Sequence, residues 1–131
     1  MRRIVAALAL AVAGPAGAAG PGEDVDVTAG VVTGLECALA AREKGDLRKL
    51  TSCPPLEAKK DLVVYDVAER RIYRIAAKKV FRYQLESAFG GGSIDFSGKA
   101  VKVDANEVAT VEVAEYSIAK KPKAGTFKGC L

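Results

Sequence analysis

Histidine and tryptophan are absent from this 131-residue chain, and methionine occurs only as Met1. Without histidine, no Ser-His or Cys-His nucleophile can be assembled, and no imidazole can hold a metal or relay a proton near neutral pH. No Cys-x-x-Cys pair occurs, so thioredoxin-like redox chemistry lacks its usual motif. Gly90-Gly91-Gly92-Ser93 comes after a helical pattern and lacks a Gly-Lys-Ser/Thr end, which sets it apart from a phosphate loop. Carboxylates remain, but Asp61, Asp66, Glu69, Glu112 and Glu115 are expected at strand ends or on solvated positions, with Glu112 and Glu115 on different faces. These absences predict a protein that is not an enzyme and uses no metal or cofactor.

Long apolar runs are lacking beyond the amino terminus. There, Met1-Arg2-Arg3 precedes a short apolar stretch from Ile4 to Ala13, and Gly14-Pro15 breaks it before a run of small residues. This is the pattern of a secretory signal peptide over 1–19, too short to span a bilayer and with small-x-small cleavage after Ala18 or Ala19. Its removal takes Arg2 and Arg3 away and lowers the formal net charge from +4 to +2. The mature domain is then only mildly basic, which points to no strong polyanion partner. Gly20 to Asp24 has the composition of a flexible leader, with order expected from Val25. The destination is periplasmic or extracellular.

Cysteine is scarce, with three in the chain. An export route provides the oxidising context in which disulfides persist, and three cysteines allow three single bridges. Cys37 with Cys53 is the preferred pair, because Cys53 lies in the connection after the first strand. Cys130 is then either an alternative partner or a free thiol able to link two chains.

Val25 to Cys37 alternates apolar odd positions (Val25, Val27, Val31, Leu35, Cys37) with polar even ones, the period of a half-buried strand. It is too long for an ordinary strand, and Gly30 and Gly34 are expected to bend it, as in a small barrel. Ala38 to Leu50 predicts one or two short helical turns, ended by Cys53-Pro54-Pro55. Leu62–Asp66 and Arg71–Ile75 read as a hairpin across a turn at Val67 to Arg70. Ala76 to Phe89 switches to helical period, with Ala77, Val80, Phe81, Gln84, Leu85 and Ala88 on one face and the glycines at 90–92 as its stop. A second hairpin runs from Ile94 to Asp104 and from Val108 to Ile118, with a parity shift near Ala114-Glu115 that calls for a bulge. Residues 120–131 form a basic, Pro/Gly-punctuated tail outside the sheet, which leaves 25–119 as the folded domain.

The segment from Val27 to Cys37, the later Cys53, and Gly98-Lys99-Ala100-Val101-Lys102-Val103 resemble small secreted bacterial OB-fold proteins, whose first strand ends in a cysteine and whose fourth opens with Gly-Lys. The likeness spans most of the mature chain and agrees with the element order. The expected fold is mainly β, a small five-stranded OB-fold-like barrel with one helix between strands 3 and 4. The Arg70 to Arg82 stretch and the Cys130 tail fall outside the resemblance.

In such barrels, strands 2 and 3 and the flanking loops form the ligand face. The corresponding residues are Tyr65, Arg71, Tyr73, Arg74, Lys78 and Arg82, with Lys79 beside them. The predicted function is a non-enzymatic binding or adaptor module. Its ligand is expected to be a protein or envelope component rather than nucleic acid, because two tyrosines make a thin stacking platform. The alternative is a structural or oligomer-forming envelope protein joined through Cys130, as a disulfide-linked dimer.

Overall fold

A computed structural model of the chain describes residues 19–120. The expected signal peptide up to Ala18 and the tail beyond Lys120, with Cys130, lie outside the described residues. Among the described residues five strands, β1 (Asp24–Gly34), β2 (Leu62–Asp66), β3 (Arg71–Ile75), β4 (Ser93–Val103) and β5 (Val108–Ala119), close into a barrel in the order β1-β2-β3-β5-β4. The pairing is mixed: β3 runs parallel to β5, and every other neighbour is antiparallel. Four short helices in the same span decorate it: α1 (Leu35–Lys44), α2 (Arg48–Thr51), α3 (Pro55–Ala58) and α4 (Arg82–Ala88). The helix expected between strands 3 and 4 is α4, and the one or two short helical turns expected after the first strand are instead three helices, α1 to α3, which fill the connection between β1 and β2. None of the described helices is long and apolar enough to cross a membrane.

The first strand is shorter than its alternation predicts and does not keep one parity. Between the pairs Val27↔Phe96 and Gly30↔Ile94, β1 advances one residue more than β4, with Ala29 at φ 57°. This bulge flips the side-chain parity. Val25 and Val27 point into the barrel before it and Val32 does so after it, while Val31 turns out toward α1. Leu35 and Cys37 are not strand residues, as predicted, but open α1, where the helix formers from Leu35 to Lys44 outweigh the alternation. Gly34 is indispensable for space: a Cβ on it would lie 2.6 Å from the Cα of Ala58.

Two main apolar cores result. One fills the barrel, with the Tyr73 ring edge-on to Phe96 at 5.9 Å. The other lies outside, where Ala38, Ala41 and Leu50 cover Val63, Tyr65 and Ile72. Because β2 is buried on both faces, Val63-Val64-Tyr65 reads as a continuous apolar run rather than an alternating one. Cys37 and Cys53 form the expected disulfide, which packs on Ala58 and ties α1 to the start of α3.

Three further expectations are corrected or refined. Gly20 to Asp24 is not a loose leader: Gly22 N–H donates to the Ala100 carbonyl at 2.6 Å, Ala100 N–H donates back to Glu23 at 2.9 Å, and Asp24 already belongs to β1. The helix after β3 is confined to seven residues, since Ala76 N–H bonds the Val111 carbonyl and prolongs the β3–β5 ladder. Phe81, placed on the buried face by periodicity, instead precedes the helix, its N–H capped by Gln84 Oε1 at 2.7 Å, and stands 47% exposed. The parity shift in β5 does fall where the sequence puts it. The register passes from Ser97↔Glu115 to Gly98↔Val113, leaving Ala114 as the extra residue.

Candidate functional site

The six residues expected to share a ligand face are dispersed. Tyr65 is 1% exposed beneath α1, and Tyr73 is 3% exposed inside the barrel, so neither offers a ring to a ligand. Burial raises the Tyr73 phenol above its usual range, partly offset by the neighbouring Arg71. Arg71 pairs with Glu23 at 3.3 Å. Arg74 is held by Asp61 at 2.7 Å and by Asp104; hydrogen bonds to these two carboxylates, Asp61 foremost, raise its pKa. Lys78 pairs with Glu112 at 2.8 Å, while Arg82 pairs with Glu86 at 2.9 Å and donates to the Lys59 carbonyl. These cations stitch the surface together rather than line a common pocket.

The carboxylates are equally separate. Asp66 is not solvated, as expected, but 5% exposed, where burial raises its pKa against hydrogen bonds from Glu69 and Ala68 N–H groups. It holds the β2–β3 turn. Among the described residues no group of three acidic or cysteine side chains is placed to hold a metal ion. At one end of the barrel, Arg42 is buried and donates to the carbonyls of Asn106, at 3.0 Å, and Glu107, at 3.5 Å. Arg70 in turn donates to the Arg42 carbonyl at 2.9 Å, so this polar corner fastens α1 to the two hairpin turns.

A different surface stands out. Phe81, Tyr83 and Tyr116 are 47%, 69% and 37% exposed, large apolar side chains left in solvent by a chain with few aromatics. Phe81 and Tyr83 stack with their planes 6° apart and centroids 6.3 Å apart. Beside them, Tyr83, Gln84, Ser87, Tyr116, Ile118 and Lys120 line a groove of about 240 Å³ between α4 and β5. Gln84 braces it, because the amide whose oxygen caps Phe81 N–H donates from Nε2 to the Tyr116 hydroxyl at 2.8 Å. With that oxygen accepting from Gln84, the hydroxyl keeps its own proton to donate.

Tyr116 also borders a second hollow of about 270 Å³ on the outer face of β1, β4 and β5. Asp26, Ser97 and Glu115 lie side by side across these three strands, and Asp95 lines the same hollow. Asp95 accepts the Ala29 N–H at 2.7 Å, and no lysine or arginine among the described residues pairs with Asp26, Asp95 or Glu115. The surface is thus aromatic at one end and acidic at the other. Sequence reasoning missed it because Phe81 fitted a buried helical face. The one available signal was Gln84, three residues after Phe81 and able to cap its N–H. Comparison with protein-family models, with curated proteins and with solved structures finds no match to this chain.

Proposed function

We propose that the protein is a non-enzymatic binding or adaptor module of the periplasm or extracellular space, with the groove lined by Tyr83, Gln84 and Tyr116, and Phe81 stacked beside it, as its ligand surface. The observation that carries this reading is the exposed, braced aromatic groove on a barrel whose interior is filled by its own side chains. Exposed contiguous aromatics favour association, since they offer large contact area with little rotamer freedom to lose. The signal-like amino terminus and the Cys37–Cys53 bond support an exported location. Ala19, fully buried against the barrel core, favours cleavage after Ala18 over cleavage after Ala19. The order β1-β2-β3-β5-β4 with a parallel β3–β5 closure supports the OB-fold reading, although the groove lies at α4 and β5 rather than on strands 2 and 3.

A polypeptide or other envelope component suits the groove better than nucleic acid. Asp26, Asp95 and Glu115 would repel phosphates laid beyond Tyr116. A photo-cross-linking side chain at position 83 tests the reading in envelope extracts, with position 69 on the β2–β3 turn as control. Capture from position 83 that disappears in a folded Tyr116→Ala variant supports it; equal capture from both positions overturns it. Retention of a single-stranded oligonucleotide at low salt would argue instead for a polyanion ligand.

One observation favours a second reading, a structural protein joined covalently. The bond between Cys37 and Cys53 leaves Cys130, outside the described residues, as the third cysteine. Electrophoresis without reductant should show a dimer that Cys130→Ser abolishes; a monomer under both conditions removes this reading.

A further inference from the structure

We propose that the ligand is an extended polypeptide strand, its side chains alternately cationic and apolar, that joins the barrel along the open edge of β5. This rests on the groove being the binding surface and names what it takes. On the side away from β4, β5 is matched by β3 only from Val108 to Val111, and the bond from Ala76 N–H to the Val111 carbonyl prolongs that ladder by one step. Lys79 Nζ then caps the Ala114 carbonyl at 2.9 Å. From Glu115 to Ala119 the strand pairs with β4 alone among the described residues, so alternate residues there turn N–H and C=O groups away from the sheet. α4 flanks this edge through a side chain, Gln84 on the Tyr116 hydroxyl, and the groove runs between the two.

Strand alternation gives the added segment two faces. Tyr116 and Ile118 line the groove with Tyr83, whereas Glu115 and Ser117 line the acidic hollow. A neighbouring strand lies about 4.8 Å away, so side chains on its first face enter the groove and those on its second lie beside Glu115, with Asp95 and Asp26 farther across the sheet. Aromatic or aliphatic residues suit the first face. Lysine or arginine suits the second, because opposite charges paired across strands are favourable and no cation among the described residues pairs with these three carboxylates. Main-chain bonds then supply affinity, and the alternating side chains supply selectivity. A second copy does not match this edge: β5 carries Glu112 and Glu115 and no lysine or arginine, so two such strands would set acid near acid.

The test titrates the mature full chain carrying Cys130→Ser with the end-capped peptide Lys-Phe-Lys-Val-Lys-Val and follows backbone amides by NMR. Two forms of the peptide, N-methylated at one or the other set of alternate residues, keep every side chain while removing the donors of one edge; a third form has glutamate for lysine. The expected result is saturable movement of the signals of residues 115–119, Tyr83 and Gln84. Binding should weaken about tenfold or more with one methylated form but not the other, fall with the glutamate form, and fall less in a Glu115→Gln chain. Equal effects of the two methylated forms, or equal binding of the glutamate form, would overturn the proposal. Signals at this edge that move on dilution without peptide would overturn it too, by placing a second copy there. If the peptide moves nothing at residues 115–119 while Tyr116→Ala still abolishes cross-linking from position 83, this inference alone fails; if cross-linking is also indifferent to Tyr116, the binding reading fails with it.

Discussion

The Ala29 N–H donates to Asp95 Oδ1 at 2.7 Å across the bulge in β1, and Ala29 reaches that position with φ at 57°. The left-handed conformation costs an alanine about 1–2 kcal/mol. Asp95 offsets part of this by satisfying an amide that the bulge takes out of the ladder.

Replacing Ala29 with glycine removes the strain but adds freedom to the unfolded chain, worth about 0.5–1 kcal/mol. We expect Ala29→Gly to equal or exceed the parent in stability by up to about 1 kcal/mol, and Ala29→Val to fall below it. Urea denaturation decides the matter. A glycine variant less stable than the parent would mean that the left-handed alanine carries less strain than the freedom a glycine adds to the unfolded chain.

Gly34 supplies space instead of conformational freedom. An alanine there places its Cβ 2.6 Å from the Ala58 Cα and 3.2 Å from the Cys53 Sγ. Backbone cannot yield as a side-chain tip can, so Gly34→Ala should cost about 1–3 kcal/mol and lower the melting temperature by roughly 10 °C. A melting curve superimposable on the parent would show that α3 is free to move off the strand.

The disulfide closes a loop with a sequence separation of 16 residues. In the chain-entropy account such a closure stabilises by about 3 kcal/mol. Cys37→Ala with Cys53→Ala should lose about that much, with the rise in amide hydrogen exchange concentrated between residues 35 and 61. Uniform exchange across the barrel would contradict a local anchoring of α1 to α3.

Acid stability should divide between two groups of carboxylates. Glu23 lies below its ordinary 4.5, chiefly through the Gly20 N–H. Asp104 lies below 3.8: burial alone would raise it, but Arg74 and the Val108 and Asn106 N–H groups prevail. Both contributions are present above these ordinary values and are lost as pH falls through the lowered ones. Asp66 has the opposite sign, since its raised pKa adds stability as pH falls through it, until 3.8. Asp104→Asn should therefore cost up to about 1 kcal/mol at neutral pH, with the deficit closing in acid. Asp66→Asn should gain relative to the parent as pH rises. Parallel stability profiles for both variants and the parent, from pH 2 to 8, would refute this division.

Hairpins, closure and disulfide were legible because each leaves a local mark. Leu62 to Ile75 carries two β-rich runs around a turn, and the parity shift from Val113 to Tyr116 announces the bulge at Ala114. The matching shift in β1 was hidden, since Val31 and Val32 are both apolar and either can face the core. The ligand face was misplaced for a related reason. Tyr65 and Tyr73 look like a platform on a half-wet sheet, but α1 covers one and the barrel encloses the other. Phe81 looked buried because helical period extended back to Ala76, whereas the Ala76 bond to Val111 delays the helix to Arg82. At the start of this helix a long-range hydrogen bond overrode the local period, and at the tyrosines long-range packing did.

The parallel pairing of β3 with β5 also bears on the order of assembly. β5 is the last of the described strands and supplies both remaining seams, one to β3 and one to β4. A chain made or threaded through a pore from its amino end can form the β1–β2–β3 meander early, yet the β3 edge stays open until Val108 to Val111 have emerged. Closure then needs contacts distant in sequence, the slow kind. Until then the β3 edge is exposed to other chains, which makes the interval before release of β5 the period of greatest aggregation risk.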